Sequence, residues 1–212
     1  MSLINYHKIK KELTNQQKLI AVSKGQDISK IKMLYDQGHR DFGENYLQEL
    51  IKKSKVLPAD IHWHFLGKIQ TNKIKNIIQF SSLIHSVSRK KVYQKILNTH
   101  VKKQCNFLLQ LKLGNEKSKD GLSTEELIKI VEDHDYESLF CIRGIMGIAE
   151  NNISEKEKNN QFQICKELFL QLKENYKNID TLSLGMSSDY SLAISCGSTM
   201  VRIGTKIFGE RK

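Results

Sequence analysis

The stretch Leu19-Ile20-Ala21-Val22-Ser23-Lys24 places four apolar residues directly before a small polar residue and a lysine. A short apolar run beside turn signals is typical of a buried β-strand. Lys24 is therefore expected at the carboxyl end of a strand, at the edge of a core. Desolvation there lowers the pKa of a lysine, and a neutral amine can form a Schiff base with an aldehyde. The alternative is that Lys24 simply extends into solvent, as most lysines do.

The same unit, a short apolar strand followed by a helical segment, recurs along the 212 residues. Strict alternation predicts a parallel sheet, and eight repeats predict closure into a single α/β (β/α)8 TIM barrel, a fold that needs at least about 200 residues. One domain is expected over residues 1–212, with a short helix within residues 1–17. A doubly wound open sheet remains the alternative at this point. The predicted strands are 19–24, 41–43, 61–66, 83–87, 107–111, a segment within 140–148, 181–184 and 200–203.

Polar residues mark where several of the helices begin. Ser123 with Glu126, and Ser154 with Glu157, have the spacing of a capping box, in which the serine and the glutamate satisfy each other's backbone N–H groups. Ser88 is expected to cap the helix after the fourth strand.

Composition limits the class of protein. The chain is 39% hydrophobic and 27% charged, and no apolar run approaches the roughly 20 residues that cross a bilayer. The N-terminal residues lack the apolar segment of a signal peptide. The four cysteines are far apart with no C-x-x-C pair, which indicates free thiols and a cytoplasmic protein without a membrane partner.

The net charge of +11 admits a nucleic-acid partner, but the lysines are dispersed, mixed with glutamates and accompanied by few aromatic residues. No nucleic-acid ligand is therefore expected, whereas a small anion such as a phosphate ester is compatible with the charge. No Gly-rich dinucleotide motif or Walker A loop is present. Without an evident large apolar patch, a monomer is expected.

In a barrel of this kind, sites form at the carboxyl ends of the strands. The set at these ends is polar, with no carboxylate pair and no nucleophile triad. It comprises Lys24, Asn45, His64, Ser86, Met146, Ser187, Gly204 and Thr205, with the polar loop Gly114–Gly121.

The last two strands predict a phosphate site, because the loops that follow them bind phosphate in many barrels. Ser187 offers a hydroxyl, and Gly204 and Thr205 offer backbone N–H groups at a helix start. Gly204 could equally be an ordinary turn glycine. Period-2 alternation puts Arg202 on the same interior side as Gly204, where it should face a ligand acceptor or a carboxylate.

A metal site is the other reading of the histidines. His62 and His64 share a face of the third strand, as two metal ligands would. Further ligands on later strands are missing, since His100 and His134 fall in predicted helices. No metal is therefore expected.

Several motifs run in order from about Lys18 to the C-terminus. They are Ala21-Val22-Ser23-Lys24, Phe42-Gly43-Glu44-Asn45-Tyr46, Trp63-His64-Phe65-Leu66-Gly67 with Gln70 and Asn72-Lys73, Ile84-His85-Ser86-Val87, Leu182-Ser183-Leu184-Gly185-Met186-Ser187-Ser188-Asp189, Gly197-Ser198-Thr199, Val201-Arg202-Ile203-Gly204 and Phe208-Gly209. Together these motifs resemble the pyridoxal phosphate homeostasis proteins. The chain differs from them in Leu184, where methionine is usual, in Ser88, where an acidic residue is common, and in its short N-terminal helix.

This resemblance implies an alanine-racemase-like barrel (fold type III among pyridoxal phosphate proteins) and pyridoxal 5′-phosphate as the bound cofactor. Lys24 matches the lysine that forms the covalent aldimine. The resemblance further implies phosphate contacts from Ser187, Gly204 and Thr205, an arginine at the pyridine nitrogen in Arg202, and polar residues around the ring in Asn45 and His64.

It also implies a carrier that holds the cofactor and releases it, with apo-enzymes as recipients, rather than an enzyme. An arginine at the pyridine nitrogen keeps that nitrogen unprotonated, which weakens the ring as an electron sink. The alternative is an amino-acid racemase, which needs a base on each face of its substrate. No tyrosine lies at a strand end, and Tyr46 is the nearest.

Overall fold

In a computed structural model, which describes residues 3–114 and 120–210, the chain forms eight parallel strands that close into one barrel, with helices between them. The elements in chain order are α1 (Leu3–Glu12), β1 (Lys18–Val22), α2 (Ile28–Asp36), β2 (Asp41–Glu44), α3 (Leu47–Ser54), β3 (His62–Phe65), a 3₁₀ turn (Thr71–Lys73), α4 (Ile74–Phe80), β4 (Leu83–Val87), α5 (Lys90–Leu97), β5 (Cys105–Gln110), α6 (Thr124–Glu132), β6 (Phe140–Met146), α7 (Glu155–Asn175), β7 (Thr181–Ser183), α8 (Tyr190–Ser195), β8 (Met200–Ile203) and α9 (Thr205–Phe208).

Barrel closure confirms the fold predicted from the alternating pattern. Each strand pairs in parallel with the next, and β1 also pairs with β8, with Ile20 opposite Arg202. An open doubly wound sheet lacks that last pairing and is excluded. The pairing also brings the carboxyl end of the first strand beside the carboxyl end of the last one.

The local signals were mostly right. Both capping boxes form, at Ser123 and at Ser154. The prediction that Ser88 caps a helix is wrong, because the chain stays extended for one more residue and Arg89 occupies the N-cap position. Ser88 is instead buried and lines a cavity at the carboxyl end of the barrel. Residues 115–119 of the predicted polar loop lie outside the described residues.

Two separate sets of buried side chains follow from the period-2 alternation of the strands. The outward-facing set packs against the helices and forms the main core, with Phe42, Trp63 and Phe107 among its largest members. The inward-facing set includes a small apolar cluster that fills the middle of the barrel. Its members are Ile20, Leu83, Leu108, Met146 and Met200.

The N-terminal helix α1 packs on the barrel through Tyr6 and Ile9, both buried. The Tyr6 ring meets the edge of His39, and His39 in turn meets Phe42. The Nε2 atom of His39 lies 2.8 Å from the Asp41 carbonyl oxygen, which can only accept, so Nε2 carries the proton. Burial lowers the pKa of His39 to about 4.

Within residues 3–114 and 120–210, no helix has both the length and the apolar character that crossing a membrane requires. The four cysteines are buried and form no disulfide.

The low pKa of His39 predicts acid sensitivity. Its folded pKa lies below the unfolded value of 6.5, so the unfolded chain binds the proton first as pH falls. The stabilisation is complete above pH 6.5 and is lost as pH falls toward 4. We expect His39→Gln to lose about 2 kcal/mol less stability than the wild type between pH 7 and pH 5, measured by urea unfolding.

His100→Gln, at an exposed histidine, is the control and should keep the wild-type pH dependence. Equal pH dependence in the wild type and in His39→Gln would contradict this assignment.

Candidate functional site

A cleft of about 340 Å³ opens at the carboxyl ends of the strands. It brings together six of the seven cofactor-binding residues predicted from the sequence, together with apolar neighbours. Its lining comprises Val22, Lys24, Asn45, Leu66, Met146, Ile148, Met186, Ser187, Ser188, Arg202, Gly204 and Thr205.

His64 is the predicted residue that does not line the cleft. It lies deeper in the barrel at 3% exposure. Its ring is 3.1 Å from an Asp41 carboxylate oxygen and 2.9 Å from the ring of His85. His64 therefore belongs to the interior of the barrel.

A second cavity of about 280 Å³ adjoins the cleft and shares Leu66 and Ile148 with it. Ser86, also predicted at a strand end, lines this cavity. The cavity includes Leu113 and Asp120, on either side of the undescribed residues 115–119.

Two glutamates hold the residues on either side of Lys24. Ser23 Oγ donates to Glu44 Oε1 at 2.6 Å, and the Gly25 N–H donates to Glu49 Oε2 at 2.7 Å. Gly25 has a φ of +67°, which favours glycine. Lys24 thus lies between two anchored neighbours, and its side chain starts from a defined backbone position.

Lys53 joins the two glutamates into one buried network. Its Nζ donates to Glu44 and to Glu49, each at 2.8 Å, and to the Ser23 carbonyl oxygen at 2.7 Å. Glu44 is fully buried and Lys53 is 5% exposed. Burial raises the pKa of the Glu44 carboxyl, while the Lys53 ammonium opposes that rise.

Asn45 is placed by a close approach of two strand ends. A Cβ on Gly67 would lie 1.9 Å from the Asn45 carbonyl oxygen, so only glycine fits there. The Ser86 hydroxyl donates to the Gly67 carbonyl oxygen and holds this contact from the other side.

The loops after β7 and β8 meet at the predicted phosphate site. The Gly204 N–H donates to Ser187 Oγ at 3.2 Å, and the Lys206 N–H reaches the same atom at 3.5 Å. Gly185 turns the chain at a φ of +87°, and an added Cβ would lie 2.6 Å from the Ala193 side chain. The Ser187 hydroxyl and the Gly204 amide therefore meet on one side of the cleft.

Arg202 lies at the floor of the cleft and is 5% exposed. Its Nη1 donates to the Ser183 carbonyl oxygen at 2.8 Å and to Ser183 Oγ at 2.5 Å, and its Nη2 donates to the Gly147 carbonyl oxygen at 2.9 Å. The expected interior position is observed, and these partners are neutral oxygens instead of a carboxylate. Burial lowers the pKa of Arg202 to about 10, so it remains charged at neutral pH.

The apolar wall of the cleft was largely missed from the sequence. Val22, Leu66 and Ile148 line it, yet they read as ordinary strand or strand-end residues. The signal was present, because Val22 lies two residues before Lys24 and alternation puts both on one face.

The donor set suits a particular kind of ligand. An amine, a guanidinium, a hydroxyl and backbone amides line the cleft, and no carboxylate does so within the described chain. Such a set favours a phosphate dianion, a ring acceptor and an aldehyde in one molecule. Residues 3–114 and 120–210 hold no group of three or more His, Cys, Asp or Glu side chains suited to a metal ion.

Sequence comparison assigns the chain to a family. Residues 4–212 match the family described as alanine racemase, N-terminal domain. The pyridoxal phosphate homeostasis protein of Haemophilus influenzae is 38% identical over 211 residues, covering 95% of this chain and 89% of that protein. The Escherichia coli K12 protein of the same name is 36% identical over 202 residues, covering 91% of this chain and 85% of that protein.

Comparison with solved structures supports the same family assignment. PipY of Synechococcus elongatus PCC7942 superposes with a TM-score of 0.88 without pyridoxal phosphate, at 31% identity and covering 97% of this chain and 98% of that chain. The same protein with pyridoxal phosphate bound gives a TM-score of 0.86 at 30% identity, with the same coverage. An alanine racemase from E. faecalis, at 17% identity and a TM-score of 0.76, covers 97% of this chain and 57% of that one and shares the fold.

The buried network beside Lys24 predicts a large effect from one lysine. Lys53→Met leaves the Glu44 carboxylate buried without its cation, which typically costs about 3–5 kcal/mol. We expect a loss of that order in urea unfolding. Lys52→Met, at an exposed position on the same helix, should change stability by less than about 0.5 kcal/mol. Similar effects from the two variants would show that the network is not stabilising.

Proposed function

The chain belongs to the pyridoxal phosphate homeostasis proteins within the alanine racemase N-terminal domain family, and we propose that it binds pyridoxal 5′-phosphate and maintains its supply in the cytoplasm. The observation that supports this is the convergence of Lys24, Arg202 and the Ser187–Gly204 contact on one cleft. Each is the chemical complement of one part of that cofactor.

The cofactor supplies an aldehyde that traps amines, and the protein supplies the amine. Lys24 would hold the cofactor covalently through its Nζ amine, where the aldehyde would supply the amine-capturing chemistry with release of water. The fixed Ser23–Gly25 backbone determines where this amine can reach. The interaction is covalent but reversible, which suits a protein that must also release its cargo.

The remaining residues orient the cofactor without a bond to it. Ser187, Gly204 and Thr205 bind the phosphate, whose oxygens only accept hydrogen bonds at neutral pH. Arg202 would hold the pyridine nitrogen by donating to it and would keep that nitrogen unprotonated. Asn45 would contact the cofactor near its ring. His64 lies deeper in the barrel interior, behind the cleft.

A carrier role fits the cleft better than racemisation. Racemisation needs a base on each face of the substrate carbon. In the described part of the chain, Lys24 is the one residue of the cleft lining that can act as a base at neutral pH, since Arg202 stays charged. Within residues 3–114 and 120–210, the cleft lining therefore supplies no second base for the opposite face of the substrate carbon.

We further propose that the protein acts as a monomer of one domain spanning residues 1–212 and passes pyridoxal phosphate to apo-enzymes that need it. The cytoplasmic assignment is supported by the four cysteines, which are unpaired thiols as a reducing compartment would keep them.

The role of Lys24 predicts a spectroscopic result. Protein mixed with pyridoxal phosphate should show the visible absorbance of a Schiff base, and Lys24→Ala should lose that band. Lys30→Ala removes a lysine of α2 whose ammonium donates to Gln26, just before that helix, and this control should keep the band. Persistence of the band in Lys24→Ala, or no uptake by the wild type, would refute the assignment.

The single base in the cleft predicts a lack of racemase activity. Protein loaded with pyridoxal phosphate and given L-alanine should form no more D-alanine than free pyridoxal phosphate does, as measured by chiral chromatography. An alanine racemase assayed in parallel is the positive control. Substantial turnover by the wild type would instead support the racemase alternative.

A further inference from the structure

A row of polar side chains crosses the interior of the barrel, from Arg202 at the cleft to Asp41 at the opposite mouth. Each contact is within hydrogen-bonding distance, and four strands contribute besides β8. The distances are 2.5 Å from Arg202 Nη1 to Ser183 Oγ, 3.2 Å from Ser183 Oγ to His85 Nδ1, 2.9 Å from His85 Nε2 to His64 Nδ1, and 3.1 Å from His64 Nε2 to Asp41 Oδ1.

The two ends determine the direction of every hydrogen bond between them. A guanidinium only donates, and an ionised carboxylate only accepts. Ser183 Oγ therefore accepts from Arg202 and directs its own proton to His85 Nδ1. His85 then carries its proton on Nε2 and donates it to His64 Nδ1. His64 in turn carries its proton on Nε2 and donates to Asp41.

Charging a histidine would break this order. A second proton on His64 would set two N–H groups against each other unless His85 reversed its own proton. Ser183 Oγ would then accept from both Arg202 and His85, and its hydroxyl proton would lose its acceptor. A buried polar group without a partner is costly. The row of hydrogen bonds therefore favours two neutral rings.

The surroundings support the same charge states. Burial lowers the pKa of His64 and lowers that of His85 well below its usual value. Burial acts to raise the pKa of Asp41, but the hydrogen bond from His64 and the Lys18 ammonium, 3.6 Å away, lower it. The ring of His62 lies 3.4 Å from the same carboxylate oxygen.

We propose that Ser183, His85, His64 and Asp41 are positioning residues for Arg202. Because their hydrogen bonds all run in one direction, the Ser183 hydroxyl is fixed as an acceptor for Arg202. That acceptor holds the guanidinium at the floor of the cleft. The aligned bonds, ending in a carboxylate, also stabilise a buried cation whose hydrogen-bond partners are neutral oxygens. Asp189 adds a favourable charge near Arg202.

Nitrogen-15 NMR of the histidine rings, in the protein without cofactor, directly tests the direction of these hydrogen bonds. At pH 7 we expect His64 and His85 both to be neutral with the proton on Nε2. His39 and His134 are internal references, because their Nε2 atoms face the carbonyl oxygens of Asp41 and Phe140. An imidazolium, or a proton on Nδ1, at either His64 or His85 would overturn the proposal.

A matched pair of variants tests the positioning role, which rests on the proposed function. In His85→Gln the amide can accept from Ser183 and donate to His64, whereas in His85→Leu a side chain of similar size can do neither. We expect His85→Gln to bind pyridoxal phosphate within about threefold of the wild type. His85→Leu should bind about tenfold or more weakly in absorbance titration, because the Ser183 hydroxyl loses the acceptor that orients it toward Arg202.

His134→Gln and His134→Leu are the control pair. His134 is also buried and also contacts a hydroxyl, that of Tyr93 at 2.9 Å, but it lies outside the barrel interior. Both control variants should keep wild-type affinity, with urea unfolding reporting the stability of all four. Equal affinity of His85→Gln and His85→Leu would overturn the positioning role. A wild type that binds no pyridoxal phosphate would refute the proposed function. The NMR result would still decide whether the hydrogen bonds in the row run in the proposed direction.

Discussion

The pairing of β1 with β8 is the constraint on which the rest of the molecule depends. It joins the two ends of the chain's eight-strand sheet and sets Ile20 opposite Arg202. Without it, Lys24 and Gly204 would lie at opposite edges of an open sheet, 180 residues apart in sequence. Closure turns these distant residues into two walls of one cleft.

Closure also creates an interior that the strands must fill from within. Apolar side chains such as Ile20 and Met146 fill the middle, and polar ones occupy the remainder. A buried polar group is tolerated when each of its hydrogen bonds has a partner. The row from Arg202 to Asp41 meets this condition across several strands. Each polar side chain in the row has its hydrogen-bond partner on a different strand. A buried arginine is thereby stabilised without a hydrogen-bonded carboxylate beside it.

A second buried network has a different task. Glu44 accepts from the Ser23 hydroxyl, Glu49 accepts from the Gly25 N–H, and Lys53 donates to the Ser23 carbonyl oxygen, so that these side chains hold the residues on either side of Lys24. The cleft therefore has one network behind its amine and another behind its guanidinium. The two share no residue, so that a change in one should leave the other intact.

Much of this organisation could be predicted from the sequence, because strand and helix periodicity are local properties. The eight strands, both capping boxes and six of the seven residues proposed for the cofactor followed from alternation, from strand ends and from the family resemblance. Alternation also put Arg202 in the interior. What the sequence by itself determined is thus the repeat, its closure into a barrel of the right length, and the polar residues at the carboxyl ends of the strands.

Only the tertiary structure decided how those residues are supported. The sequence placed His64 near the ring, yet its contacts with Asp41 and His85 depend on the register of three strands, which no local pattern encodes. Serine is a common helix N-cap, but Ser88 is buried at the carboxyl end of the barrel instead. The partners of Arg202 and Lys53 come from segments far away in the chain. The physical reason is that buried polar groups are satisfied by whichever neighbours the closed barrel brings within hydrogen-bonding distance, and that distance exists only after the chain has folded.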